Sequence, residues 1–214
     1  MEAKTPMDSP LYRLSEKMMR LALVNLIWIL CTVGGLIILG FFPATVALFA
    51  VLRKWEMKEN VHIFPFFWET FKETFFRANI FGLIFAIAGY ILYVDWLYIL
   101  YYEGGSNPLI FLSTCLLSIL FVVSLISMLT MFVHYELSML NYLRNAVLFS
   151  ISQPGAALMF LLSIGIVLFI IWLVPGVIPF FSMSLTGLLS TKVAHHFFRK
   201  IELSKYDGNI ESDK

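Results

Sequence analysis

LALVNLIWILCTVGGLIILGFFPATVALFAVLRK, residues 21–54, carries no charge until Arg53. In hydrocarbon no water satisfies a backbone amide, so an apolar run of this length is stable only as helix. Gly34, Gly35 and Gly40 mark where the chain turns, and Pro43 opens the second half. The stretch therefore predicts a membrane hairpin with spans over roughly 18–33 and 36–52, each near 25 Å at about 1.5 Å per residue. The competing reading is one long span followed by a half-helix starting at Pro43, tolerated only where protein or water covers the freed backbone.

Composition points the same way. Of 214 residues, 60% are hydrophobic and 14% charged, with 21 Phe; mean hydropathy is +0.85. A soluble domain is about 45–50% apolar and about 25% charged, so this chain has too little polar surface for water. A net charge of +1 gives no reason to expect nucleic acid as a partner. Cys31 and Cys115 sit inside apolar segments, where a thiol acts as a small hydrophobic filler.

The N-terminus has no Ala-x-Ala cleavage site before the first apolar run, which predicts a retained span rather than a signal peptide. Asp8-Ser9-Pro10 supplies a cap and a proline for a first helical turn, and Leu11, Leu14 and Met18 recur opposite Arg13, Lys17 and Arg20. This predicts a short amphipathic helix at the interface. In the first span Asn25, Trp28 and Thr32 share a face, and the Asn25 amide is expected to bond a neighbouring helix. Pro65 opens a second amphipathic helix, with Phe64, Phe67, Trp68, Phe71 and Phe75 on one stripe and Glu69, Lys72 and Glu73 opposite. A third span over about 79–98, beginning at Asn79, ends in the aromatic belt of Tyr90, Tyr93, Trp96, Tyr98, Tyr101 and Tyr102. Asp95 is the one acidic residue within a span and is expected as a hydrated acid of that belt. Asn107-Pro108 starts a fourth span to about Val133, along which Ser113, Ser124, Ser127, Thr130 and His134 fall in a narrow arc, a hydroxyl stripe expected to pack between helices. A third interfacial helix over 136–153, a fifth span from Pro154 to about Leu173, a break at Pro175, Gly176 and Pro179, and a sixth span to about Phe197 complete the membrane part. Residues 1–198 are thus expected as a single polytopic domain and 199–214 as a charged cytoplasmic tail.

The cations test this assignment. Of the 15 Lys and Arg, four lie through Arg20, five in 53–77, one in 134–153 and five from Lys192 onward. The three opposite turns have none. Six spans in three hairpins, with both termini and the interfacial helices cytoplasmic, obey the positive-inside rule; five spans would place one terminal cluster outside. The fold class expected is an all-α membrane protein with about six transmembrane helices.

Chemistry is harder to find. The sequence lacks His-Glu-x-x-His, Gly-x-Ser-x-Gly, a Gly-rich phosphate loop and any Cys/His spacing suited to a metal. His134 and Glu136 are two apart and His195-His196 are adjacent, so neither pair shares a helix face, and all read as solvated groups beside cations. No catalytic residue and no cofactor is expected.

A family resemblance is carried by Asn25-Leu-Ile-Trp28, by Gly40-Phe-Phe-Pro43-Ala44-Thr45-Val-Ala47 continuing to Arg53-Lys54-Trp55, and by Phe64, Phe67, Phe71 and Lys72 leading into Arg77-Ala-Asn79. The chain resembles the YesL family of small bacterial membrane proteins, although Phe41 and Phe42 separate Gly40 from Pro43 where many members have glycine directly before the proline. The resemblance implies a bacterial cytoplasmic-membrane protein often associated with carbohydrate uptake, and it brings no catalytic residues. Three readings follow: a non-catalytic accessory or regulatory subunit with a sugar-importer permease as partner; a small transporter or channel, motivated by Asp95 and the hydroxyl stripe; and an intramembrane enzyme, for which no nucleophile and base pair is visible.

Overall fold

The computed structural model describes residues 10–101 and 107–212. It contains α1 (Pro10–Gly34), α2 (Ile38–Glu56), α3 (Ile63–Tyr101), α4 (Pro108–His134), α5 (Met139–Ser152), α6 (Pro154–Leu173), a 3-10 turn at Pro175–Val177, and α7 (Ile178–Ser212). Six helices are long and apolar enough to cross a membrane, all but the short α5. The chain is a multi-pass membrane protein, and its outer faces contact lipid.

The first hairpin consists of two whole helices. Pro43 lies inside α2, which begins at Ile38, so no half-helix starts at the proline. The turn itself differs from expectation, because the left-handed residues are Leu36 (φ 59°) and Ile37 (φ 64°), and among the described residues no glycine has positive φ. Such a backbone costs non-glycine residues roughly 1–3 kcal/mol each; the Ile37 N–H, bonded back to the Thr32 carbonyl at 2.8 Å, helps hold it. The glycines serve closeness instead. A Cβ on Gly40 would lie 2.5 Å from the Thr32 carbonyl oxygen, and one on Gly35 would lie 2.4 Å from Gly40 Cα.

Around this hairpin the bundle is built on α2, which packs against α1, α3, α4 and α7. Every residue from Pro43 to Leu52 is buried. A helix apolar on all sides belongs at the centre of a bundle, where each face has a neighbour, and that explains why residues 43–52 contain no charged residue.

Two of the three interfacial segments are continuous with spans. The N-terminal amphipathic segment runs straight into α1, and the aromatic segment from Ile63 is the first part of a 39-residue α3. No Gly or Pro interrupts the sequence between Pro65 and Gly82, so nothing forces a break. At 1.5 Å per residue α3 is about 58 Å long, twice the roughly 30 Å hydrocarbon thickness. Residues 63–77 and 79–98 therefore cannot both lie within it along the membrane normal. Within the first part Phe67 and Phe71 are buried, with Trp68 stacked on Phe71 at 5.6 Å, whereas Phe64 is largely exposed; the aromatic stripe is half covered. Only the third segment is a separate element, α5, which folds back along α4. Helix α7 continues through the charged tail to Ser212.

Candidate functional site

The residues singled out in the first span converge on the core. Asn25 is fully buried. Its Nδ2 donates to the Pro179 carbonyl at 2.9 Å, while its Oδ1 accepts from the N–H groups of Met183 and Ser184, each at 3.0 Å. Pro179 C=O and Met183 N–H are the pair that an α-helix ordinarily joins to each other, so the Asn25 amide enters the hydrogen-bond ladder of α7 as a peptide group would. The first and last spans are pinned by one side chain.

Three residues further along, Trp28 Nε1 donates to Thr45 Oγ1 at 3.1 Å, and that hydroxyl donates to the Phe41 carbonyl at 2.7 Å. Pro43 has no N–H, so the Leu39 carbonyl four residues earlier loses its helical donor. The Asn79 side chain on α3 donates to that carbonyl at 3.0 Å and to Phe75 O at 2.9 Å. Gly40, Pro43, Ala44, Thr45 and Ala47 are all buried on α2. The motif thus builds the junction of α1, α2 and α3.

At the other end of α2, Arg53 Nη1 donates to the Val133 carbonyl, the penultimate residue of α4. Lys54 pairs with Glu59 at 2.6 Å. Trp55 lines a cavity of about 400 Å³ with Lys17, Arg20, Glu56, Glu59 and Lys192, where both signs of charge are present.

The hydroxyl stripe of α4 splits. Ser113 is exposed and donates to Ile110 O at 2.9 Å. Ser124 donates to Ser150 of α5 at 3.2 Å; Thr130 donates to Ile126 and Ser127 carbonyls of its own helix at 3.0 Å; Ser127 Oγ is buried without a hydrogen-bond partner among the described residues. Ser124, Ser127 and Thr130 are thus buried in the helix packing, and Ser113 is not. Asp95 stands beside Trp96 near the end of α3. It is half-buried and lines a groove of about 360 Å³ with Phe85, Ile91, Phe121, Ser124 and Val147, between α3, α4 and α5. Cys31 and Cys115 are both free thiols.

One grouping was not legible from local spacing. His134 at the end of α4 and His195 on α7 stack with ring centroids 6.4 Å apart, and together with Arg53 and Arg199 they line a cavity of about 330 Å³. His134 is thus paired not with Glu136, which is exposed, but with a residue 61 positions away. The usable signal was that all four residues stand at the cation-rich ends of their helices. Among the described residues no group of three His, Cys, Asp or Glu is placed to hold a metal.

Comparison with known proteins places this architecture. The model of the family described as "Protein of unknown function, DUF624" matches residues 21–96, which include the whole α1–α2 hairpin motif and Asn79. Among similar proteins of Bacillus subtilis (strain 168), the uncharacterized protein YesV is 33% identical over 209 residues, covering 96% of this chain and 99% of the relative. The uncharacterized protein YteU is 32% identical over 191 residues, covering 89% and 86%, and the uncharacterized protein YesL is 28% identical over 186 residues, covering 86% and 87%. No solved structure matches the chain. With a full-length relative at this identity and the hairpin motif matched to the family model, the chain belongs to the YesL-like DUF624 family, a family of unknown function.

Proposed function

We propose that the protein is a non-catalytic accessory or regulatory component of the bacterial cytoplasmic membrane, associated with carbohydrate uptake through a permease partner. The observation that carries this reading is the uneven covering of the bundle. From Ala86 to Tyr101 no residue of α3 is buried, and between Pro108 and Val122 α4 buries only Thr114. These two helix ends hold each other through Trp96 Nε1 donating to Ser118 Oγ at 3.1 Å and through the edge-on Trp96–Phe111 pair at 6.0 Å. They form an apolar arm with long outer faces, suited to lateral contact with another membrane protein as well as lipid. Asn25, Trp28, Thr45 and Asn79 of the motif are meanwhile engaged in hydrogen bonds that tie the helices together, and the association with carbohydrate uptake rests on the family resemblance alone. Mild cross-linking and copurification from native membranes tests the reading: a stoichiometric permease partner is expected, and its consistent absence contradicts it.

The alternative, a small transporter or channel, draws on Asp95 in its groove. It requires solute flux in proteoliposomes containing this chain alone, and loss of that flux in Asp95→Asn. The accessory reading expects no flux and an unchanged protein level in the same variant.

A further inference from the structure

The cavity where α2, α4 and α7 meet at their cation-rich ends is lined by cations and aromatics. Arg53, His134, His195 and Arg199 line it with Met57, Tyr135 and Phe198, and no acidic residue is among them. The larger cavity beside Trp55 balances its cations with Glu56 and Glu59; among the described residues this one has no such counter-charge. Two nitrogens are also left over. Arg53 Nε and His134 Nε2 are both buried and without a hydrogen-bond partner among the described residues. A buried donor left unpaired costs about 1–3 kcal/mol, more when charged, so the Arg53 Nε–H beside this cavity calls for an occupant that accepts hydrogen bonds, and the unpartnered His134 nitrogen offers a second polar contact.

The walls specify the rest. Arg53 is held by its Nη1 bond to the Val133 carbonyl, which leaves its Nε edge free to donate. His134 is fixed between His195 and the edge of Phe198, 5.5 Å away. A guanidinium held in place with an imidazole at its side suits an oxyanion with several acceptor oxygens, and a volume of about 330 Å³ exceeds the need of a halide. Arg199 is exposed at the mouth, where it would draw the anion in.

We infer that this cavity is a binding site for a phosphate-bearing anion, taken up at the cation-rich end of the bundle by Arg53, His134, His195 and Arg199. Two sources share that chemistry, the headgroup of an anionic lipid of the facing leaflet and a free phosphate in solution; basic pockets between transmembrane helices are suited to the former.

The test uses the full chain purified in detergent and stripped of lipid, probed separately with inorganic phosphate against chloride at equal ionic strength, and with phosphatidylglycerol against phosphatidylcholine. Thermal unfolding and native mass spectrometry read binding. Stabilisation and retention by phosphatidylglycerol alone assigns the headgroup; stabilisation by phosphate, with displacement of any retained lipid, assigns the soluble anion. In either case His195→Gln combined with Arg199→Gln should weaken binding by about tenfold or more, while Lys17→Gln at the other cavity should leave it unchanged. Arg199→Gln alone, at an exposed position, keeps the test available should the double variant fold poorly. The inference is overturned if neither probe binds, or if the variants bind as the native chain does.

Discussion

Asn79 donates a 3.0 Å hydrogen bond from its side chain to the main-chain oxygen of Leu39, the acceptor that Pro43 leaves without a helical donor. A kink-prone residue in the central helix and an amide on its neighbour are therefore one device. Without Asn79 a carbonyl in a lipid-facing bundle stands unsatisfied; without Pro43 the main chain satisfies it.

This coupling predicts a non-additive pair. Asn79→Ala should destabilise the protein by about 1–2 kcal/mol, in the range of hydrogen bonds between membrane helices. In a Pro43→Ala background, where residue 43 regains an N–H for Leu39, the same change should cost only a few tenths of a kcal/mol. Thermal unfolding in detergent of the four proteins of the cycle measures it; equal costs in both backgrounds would refute the coupling.

Asn25 should be less forgiving. Its amide makes three bonds to α7 at a site closed to solvent, and Asn25→Leu leaves one carbonyl and two N–H groups to find other partners, at about 2–4 kcal/mol. Asn25→Asp keeps the acceptor but sets a carboxylate against the Pro179 oxygen, so it should be no better than Leu. An Asp variant as stable as the native protein would show that the donation to Pro179 is of no consequence.

Gly40 is expected to tolerate no side chain. The 2.5 Å approach of a Cβ to Thr32 O has only backbone to displace, so Gly40→Ala should cost at least about 1–3 kcal/mol through overpacking and lower accumulated protein. Gly165 on α6 has nothing within 4 Å of its would-be Cβ, and Gly165→Ala should be neutral or stabilising by up to about 1 kcal/mol. Similar behaviour of the two variants in expression and melting would remove the close-approach argument.

How much of this was readable beforehand depended on the range of the interaction. Uncharged runs of helix length gave six apolar helices, and the cations collected in alternate loops gave their pairing into hairpins. Asn107 was legible as a helix start, and its side chain accepts from Leu109 N–H at 2.9 Å. The continuity of α3 is obscured by the charges of Glu69, Lys72, Glu73 and Arg77, which suggest an interface although no helix breaker separates them from the span. Periodicity reports which face is apolar, not whether the helix stops. That Leu39 would lack a donor follows from Pro43 alone; that Asn79 supplies one requires the fold, since a residue 40 positions away leaves no local trace. The same holds for Asn25 with Met183, and for His134 with His195. For Asp95, the aromatic neighbours in sequence describe one side of the helix, while the groove supplied by α4 and α5 on the other required the fold.

The account stands on six crossings with the cation-rich ends of the helices, Arg53 and His195 among them, on the cytoplasmic side. Single cysteines at Lys58 and at Ser106, the latter outside the described residues, in a chain whose Cys31 and Cys115 are replaced by serine, test it directly with an impermeant thiol reagent on intact cells. The account predicts labelling at Ser106 in intact cells and at Lys58 only after permeabilisation. Labelling at Lys58 in intact cells would contradict it.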